Sequence, residues 1–390
     1  MHKAMKKICV ITGSRAEYGL LRSTLKEISN SNILNLKLIV TASHLSQEYG
    51  YTIDHIKKDK ITISKEIETL LSSDTHIGVS KTFGLGVISF SEVLQDLKPD
   101  IVLVTGDRYE MLSFTIAALF QRIPIAHIHG GEKTIGSFDD SIRHSITKMS
   151  NFHFVANKEY KKRVVQLGEN PKSVYIVGGL GVDNIIKKKL YNKKTLENIL
   201  KTKFNKKNFL ITYHPETVGM KSLAKDFKEL LKSLNLLKHT NFYFTMPNAD
   251  NTSKLILNEI KKFVKNNNNS FFYNSLGQTK YFSLMKIIDC VVGNSSSGIS
   301  EAPSFKIPTI NIGNRQDGRI RANSIIDCKA NQKDITNAFK IINSKSFKKN
   351  LKNVVNPYGN GGASKRIVRT IEKVINNKIS LKNFYDINYD

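Results

Sequence analysis

Three acidic side chains follow predicted buried strands, a placement that suits acid–base catalysis. Residues 127–150 read HIHGGEKTIGSFDDSIRHSITKMS and come directly after a short apolar run. Glu132 follows that strand, Asp139 opens the next helical pattern, and Asp107 follows an earlier strand. Carboxylates that converge raise one another's pKa, which is how a protein obtains a general base and a general acid near neutral pH.

The same stretch has a purely structural interpretation. Acidic residues suit the first turn of a helix, and Asp139/Arg143 and Asp140/His144 are spaced four residues apart, as surface ion pairs on a helix are. We prefer the surface pair for Asp140 and His144. For Asp139 and Glu132 we prefer catalysis, because a third acid is expected at the same sheet edge.

Turns at other strand ends favour an anionic ligand. The segment TGSRAEYGLL places Arg15 after the first strand, with a helix expected from Tyr18 onward. In GNSSSGISEAPS, the turn at residues 294–298 leads into a helix that contains Glu301. Hydroxyls, backbone amides and a helix N-terminus would hold a diphosphate, and Glu301 could accept bonds from a ribose diol. Alternatively, Arg15 and Glu17 form a solvated pair.

Two further groups stand after strands of the second half. His214 follows the first of these strands, in TYHPET, and three arginines follow a later one, in GNRQDGRIR. These arginines, which add positive charge near the serine-rich turn, are Arg315, Arg319 and Arg321.

The elements that must position these residues follow a βαβ rhythm. In the first half, strand-like runs at residues 8–12, 36–42, 101–105, 123–129, 152–156 and 174–178 alternate with helical patterns. In the second half, strands are expected at residues 209–214, 242–247, 271–274, 290–294 and 309–313. This alternation predicts an α/β fold with two doubly wound, Rossmann-like domains, each built on a parallel sheet, that face a cleft.

The rhythm also suggests domain boundaries. It breaks near Gly178 and restarts after a lysine-rich segment. We expect an N-terminal domain with the acids at residues 1–178 and a nucleotide-binding domain at residues 179–363. The last helix, in residues 364–390, is expected to cross back onto the first domain.

Composition narrows the function classes. The chain of 390 residues has a formal net charge of +27. Its lysines are spread along the chain, and no recognition helix, zinc finger or RNP motif accompanies them, so we expect no nucleic-acid partner. No run of about 18 apolar residues and no signal peptide were found, which predicts a cytoplasmic protein without a membrane partner. Cys9, Cys290 and Cys328 lack metal-ligand spacing and are expected to be reduced.

Eight motifs in order resemble one enzyme family. They are ITGSRAEYGLL, GDRYEM, HIHGGEKT, DDSIRHSITKMS, YHPET, GNSSSGISEAPS, INIGNRQDGR and NPYGNGGASKRI. Together they resemble the UDP-N-acetylglucosamine 2-epimerase family. HGGEKT with SIRHSITKMS most resembles its hydrolysing bacterial branch, which feeds sialic acid synthesis.

The resemblance implies a glycosyltransferase-B type fold, a homodimer and a reaction without cofactor or metal. UDP-N-acetylglucosamine would lose UDP to give 2-acetamidoglucal, which is then hydrated with inversion at C2 to N-acetylmannosamine. Non-hydrolysing relatives carry a different stretch where this chain has SIRHSITKMS. The allosteric substrate site of those enzymes is therefore not assumed here.

The resemblance also implies roles for individual residues. Asp107, Glu132 and Asp139 match the family's catalytic acids, and His214 matches its histidine near the diphosphate. We expect Asp107 and Asp139 to transfer protons and Glu132 to act on the intermediate or in its hydration. The predicted substrate-binding residues are Arg15, Arg143, Asn294, Ser295, Ser296, Ser297, Gly298, Glu301 and Arg319.

Two other functions compete with this one. A hydrolysing 2-epimerase of UDP-2,4-diacetamido-2,4,6-trideoxyglucose, on the route to legionaminic acid, would differ by a few side chains around C4 and C6. A UDP-sugar transferase of the glycosyltransferase-B type would share the fold but need one catalytic base, and three strand-end carboxylates argue against it.

Overall fold

The computed structural model describes residues 4–48, 50–71, 73, 75–134, 138–186, 188–215, 223–247, 253–376 and 382–387. The chain divides into two compact units. The first contains residues 1–132, 138–184 and 361–390, and the second contains residues 133–137 and 185–360.

The first unit alternates strands and helices. Its strands are β1 (Lys6–Thr12), β2 (Leu34–Thr41), β3 (Lys65–Ile67), β4 (Ile101–Thr105), β5 (Ile125–Ile128), β6 (Phe152–Val155) and β7 (Val174–Ile176). Its helices are α1 (Arg15–Ser29), α2 (Ile53–Lys58), α3 (His76–Leu97), α4 (Tyr109–Phe120), α5 (Phe138–Met149) and α6 (Lys158–Gln166). The next helix, α7 (Leu180–Ile186), belongs to this unit up to Asn184.

The described strands of this unit form one parallel sheet in the order β3-β2-β1-β4-β5-β6-β7. Successive side chains of a strand point to opposite faces. Ile8 and Val10 therefore pack in one apolar cluster while Cys9 and Ile11 pack in another. Helices cover both faces, and the strand order reverses between β1 and β4. Ligands of such folds bind beside the strand ends at that reversal.

The second unit repeats this design. Its strands are β8 (Lys207–Thr212), β9 (Thr240–Thr245), β10 (Ser270–Tyr273), β11 (Cys290–Gly293), β12 (Thr309–Ile312) and β13 (Ile325–Cys328). Its helices are α8 (Lys193–Leu200), α9 (Leu223–Asn235), α10 (Ser253–Asn266), α11 (Gly277–Met285), α12 (Ser296–Ser300), α13 (Gln332–Asn343) and α14 (Lys345–Leu351). The described strands are parallel in the order β10-β9-β8-β11-β12-β13, so the reversal lies between β8 and β11.

The last helix, α15 (Ala363–Val374), belongs to the first unit. Ile367 and Ile371 are fully buried in the cluster that also contains Leu21 and Leu25 of α1. Asp183 accepts the Ala363 N–H at 2.8 Å and thereby binds a backbone donor at the start of the helix. Burial of each such aliphatic side chain contributes roughly 1.5–3 kcal/mol.

The predicted fold class is confirmed: two Rossmann-like, doubly wound α/β domains. Several elements differ from the predictions. The edge strands β3 and β13 were not expected, since their short polar sequences KEI and IIDC lack a long apolar run. Helix α8 lies in the lysine-rich stretch, for which no helix was predicted.

One helix of the first unit is long and apolar, although it contains no uninterrupted run of about 18 apolar residues. Within the described residues, α3 has both the length and the mean hydropathy of a spanning helix. Its Phe90, Val93 and Leu94 are buried in the first unit, and Phe90 packs edge-on against Phe114 of α4. Core helices pass the same test, so the finding is weak evidence for a span.

Candidate active site

The acids of the first unit stand at neighbouring strand ends. Thr105, the last residue of β4, pairs with Ile128, the last residue of β5, and the Gly106 N–H donates to the Ile128 carbonyl at 3.0 Å. Asp107 follows one strand and Glu132 the other within a few residues. β4 flanks the reversal of strand order, where the fold places ligands, and β5 is its next neighbour in the sheet.

A tight turn holds Glu132 in place. Gly131 has a φ of +75°, and a Cβ at this position would overlap the backbone of Tyr160 on α6. Arg163, also on α6, donates to the Gly131 carbonyl. The turn at Gly131 is therefore tight, and the close approach there is to another helix. Glu132 itself is 5% exposed and bonded to Nδ1 of His129 at 2.7 Å.

Helix α5 brings a buried arginine to these acids. Arg143 is only 3% exposed, forms an ion pair with Asp107, and lies 3.4 Å from Asp140. Asp139 is in the first turn of the same helix. Asp140 and His144 are 3.4 Å apart and partly exposed, as expected of a surface pair. Arg143 thus fixes Asp107, and its predicted contact with substrate stays a prediction.

His127 couples α5 to the loop that carries Asp107. Burial lowers the pKa of His127 to about 3, so the ring is neutral. Its Nε2 lies 2.8 Å from the Gly106 carbonyl, which can only accept, so Nε2 carries the proton. Nδ1 then accepts from the Thr147 hydroxyl at 3.1 Å. The sequence showed a cluster of histidines here but could not reveal this positioning role.

Helix α1 begins three residues earlier than predicted. Ser14 is its N-cap and accepts the Glu17 N–H, so Arg15 occupies the first helical turn and not a preceding loop. Arg15 is exposed, as a ligand contact requires. Glu17 is 7% exposed and accepts the Gly13 N–H at 2.8 Å. The alternative of a solvated Arg15/Glu17 pair is therefore wrong for Glu17.

In the second unit, Asn294 joins the loops that follow β8 and β11. The side chain of this fully buried residue accepts the His214 N–H at 2.7 Å and donates to the His214 carbonyl at 2.9 Å. Burial, with a smaller effect of the Arg315 charge, lowers the pKa of His214 to about 3 and keeps it neutral. Asn294 was predicted to bind substrate; its side chain positions His214.

The serine-rich turn lies at the same strand ends. Ser295 caps α12 and accepts the Ser297 N–H, while Gly298 is packed against Thr309. Ser296 opens this short helix of five residues. Ser297 accepts from the Tyr281 hydroxyl at 3.0 Å and donates to Glu301. Burial raises the pKa of Glu301 to about 7.

The loop after β12 supports this turn. Arg315 and the buried Gln316 donate to the Asn294 carbonyl at 3.1 and 2.8 Å. Arg319 lies in the same loop and its carbonyl accepts from Arg321. Gln316 and Tyr281 were not predicted, since neither residue type marks a phosphate site in a sequence.

Among the described residues, no group of three or more histidines, cysteines or acids is placed to hold a metal ion. All three cysteines are free thiols, and Cys9 and Cys290 are buried.

Known proteins resemble the whole chain. Residues 26–372 match the family model described as UDP-N-acetylglucosamine 2-epimerase. The chain is 46% identical to a GDP/UDP-N,N'-diacetylbacillosamine 2-epimerase (hydrolyzing) of Campylobacter jejuni, over 98% of this chain and 99% of the relative. It is 39% identical to the polysialic acid biosynthesis protein P7 of Escherichia coli, over 98% of both.

Solved structures agree on the fold. A UDP-GlcNAc 2-epimerase from Neisseria meningitidis, bound to UDP-GlcNAc, aligns with a TM-score of 0.81 at 21% identity and covers 94% of this chain and 100% of its own. An enzyme of the same description from Methanocaldococcus jannaschii, in complex with UDP-GlcNAc and UDP, gives a TM-score of 0.75 at 19% identity, covering 94% and 99%. At such identities the likeness concerns the fold alone.

Proposed function

Because the chain belongs to the UDP-N-acetylglucosamine 2-epimerase family, we propose that it is a hydrolysing 2-epimerase of a UDP-linked 2-acetamido sugar. The observation that carries this proposal is the arrangement of Asp107 and Glu132 at adjoining strand ends, with the buried Arg143 against Asp107. A UDP-sugar transferase would have no use for a second and third acid there.

The proposed reaction needs a carboxylate to transfer protons and a site that holds the departing diphosphate. A carboxylate takes the proton from C2 of the sugar, the C1–O bond to UDP breaks, and the electron pair leaves with the diphosphate. The C1=C2 double bond of the glucal then accepts a proton at C2 from the opposite face and hydroxide at C1. Arg15 and the turn of Ser295, Ser296, Ser297 and Gly298 are proposed to hold the diphosphate.

We propose the other site roles by the same reasoning. Asp107 and Asp139 transfer the protons, and Glu132 acts on the intermediate or on the water. His214, which is neutral, can donate one hydrogen bond to the diphosphate without a proton transfer of its own. Glu301 accepts from the ribose diol, and Arg319 adds positive charge at the nucleotide.

Two sugars fit this class. UDP-N-acetylglucosamine, which gives N-acetylmannosamine for sialic acid synthesis, is the substrate that the sequence motifs imply. The relative that is 46% identical supports the second, UDP-2,4-diacetamido-2,4,6-trideoxyglucose. Phe138 also favours it: this side chain is 64% exposed and directly precedes Asp139, where a phenyl ring suits a C6 methyl group better than a hydroxymethyl.

A comparison of the two substrates decides between them. We expect kcat/KM for release of UDP to be at least about 10-fold higher on the diacetamido sugar, a discrimination that one apolar group can supply. Phe138→Ser should reduce that ratio. The control Phe384→Ser, which removes another exposed phenylalanine on the C-terminal segment, should leave the ratio unchanged. An equal or higher kcat/KM on UDP-N-acetylglucosamine would assign the protein to the sialic acid route.

Homodimerisation, which the family resemblance implies, stays a prediction, and light scattering in solution tests it. Exposed apolar residues on α3 support it, since Ile77, Leu85 and Ile88 recur at helical spacing. Cytoplasmic location also stays a prediction.

A further inference from the structure

The loop after β1 and the loop after β4 meet at a buried acid that the reaction does not use. Glu17 and Glu110 are 7% and 2% exposed and lie on either side of Gly13. Glu17 accepts the Gly13 N–H at 2.8 Å, and a Cβ on Gly13 would lie 2.8 Å from both Cγ and Oε1 of Glu110. Two carboxylates thus flank one glycine at the reversal of strand order.

Of these two acids, only Glu110 forms an ion pair within the described residues. Arg108 donates to Oε1 of Glu110 at 2.7 Å, which accounts for the charge of Glu110. Within the described residues, Oε1 of Glu17 and Oε2 of Glu110 are buried without a hydrogen-bond partner. A buried acceptor without a donor costs about 1–3 kcal/mol, so two orphan oxygens at one place indicate a missing proton.

We propose that Glu17 works as a protonated carboxylic acid that joins the first turn of α1, which carries Arg15, to the loop carrying Asp107, and so positions both for the reaction. The proton removes one of two buried negative charges and turns an orphan acceptor into a donor. Glu17 is a positioning residue, since it acts through Gly13 and α1 and touches no reacting atom. This inference rests on the proposed function.

The electrostatics of the site agree with a neutral Glu17. Burial, and to a smaller extent the charge of Glu110, raise the pKa of Glu17 to about 8. The Gly13 and Ser14 N–H groups and Arg108 lower the pKa, but not enough to offset burial. These are the groups that act on Glu17 from α1, from α4 and from the loops before them.

The proton should be visible in the pH dependence of turnover. Above pH 8 Glu17 loses its proton, the two carboxylates repel, and the loops should shift Arg15 and Asp107. With a pKa of about 8, one molecule in about eleven keeps the proton at pH 9, so kcat for UDP release should fall about tenfold between pH 7 and 9. In Glu17→Gln the amide stays neutral, so the alkaline fall should disappear.

Controls separate this effect from general damage. Glu27→Gln, on the same helix, should keep the alkaline fall of the wild-type chain. Gly13→Ala, which would wedge a methyl group against Glu110, should lower kcat at every pH. If Glu17→Gln shows the same alkaline fall as the wild-type chain, or if the wild-type chain shows none, the inference is wrong.

A second readout does not depend on activity. The unfolded chain ionises Glu17 above its ordinary pKa of 4.5 and the folded chain only above about 8, so the folded state binds the extra proton between these values. The contribution of Glu17 to stability should therefore fall as the pH rises from 4.5 to 8 and then level off. Glu17→Gln removes this contribution, so between pH 4.5 and 8 the slope of its Tm against pH should be more positive than that of the wild-type chain. An unchanged slope overturns the inference, even if the substrate assignment fails on other grounds.

Discussion

Replacing Glu132 with glutamine should lower kcat at least about 100-fold, since a placed general acid or base contributes 10²–10⁴-fold to a proton transfer. The amide keeps the size of the carboxylate and removes its charge and basicity. The turn at Gly131 and the contacts of α6 fix the backbone at this position independently of the Glu132 side chain. A loss of kcat therefore reports the loss of the carboxylate and not a displaced backbone. KM for the UDP-sugar should change little.

The matched control is Glu159→Gln, an exposed acid of α6 whose partner is Lys162. It should leave kcat within about twofold, as surface substitutions usually do. If Glu132→Gln keeps more than about a third of the wild-type kcat at an unchanged Tm, Glu132 has no part in the proton transfers, and the assignment of the acids has to be revised.

Replacing Arg143 with methionine should lower both stability and turnover. The arginine is 3% exposed and its partner Asp107 is partly exposed, so removal of the cation leaves an acid without its ion pair. Breaking a buried pair costs 3–5 kcal/mol, and we expect about 3 kcal/mol by urea unfolding because Asp107 reaches some water. The shift of Asp107 should also lower kcat by at least about 100-fold.

A double-mutant cycle shows whether the pair is the cause. Combining Arg143→Met with Asp107→Asn should lose less stability than the two single changes summed, because neither charge is then left alone. Arg369→Met, at an exposed position of α15, serves as the control and should be neutral. Additive losses in the cycle would mean that the two side chains do not stabilise each other.

The strands could be predicted where burial is complete. The apolar runs of β1, β4 and β11 are covered on both faces, so their sequences are nearly continuous in hydrophobic residues. The edge strands β3 and β13 have one neighbour each in the described sheets, and their polar residues hid them. The early start of α1 did have a signal, since Ser14 and Glu17 fit the S-x-x-E pattern of a capping box.

The positions of Asp107 and Glu132 after neighbouring strands could be predicted from the rule that parallel strands end at one edge, without any contact being known. The buried partners could not be. Glu17 is buried beside Glu110, which lies 93 positions away in the sequence. Asn294 bonds the backbone of His214, which lies 80 positions away. The local sequence around one residue does not reveal a contact with a residue so far away in the chain.

Proton NMR of the reaction in deuterated water tests the central claim most directly. The purified protein is incubated with each UDP-sugar in turn, and the anomeric and C2 signals are followed. Elimination and hydration predict free UDP and a released 2-epimer that carries deuterium at C2, because the proton on C2 is replaced from solvent. A released sugar that retains hydrogen at C2 with its original configuration, or both substrates left intact, would contradict the account.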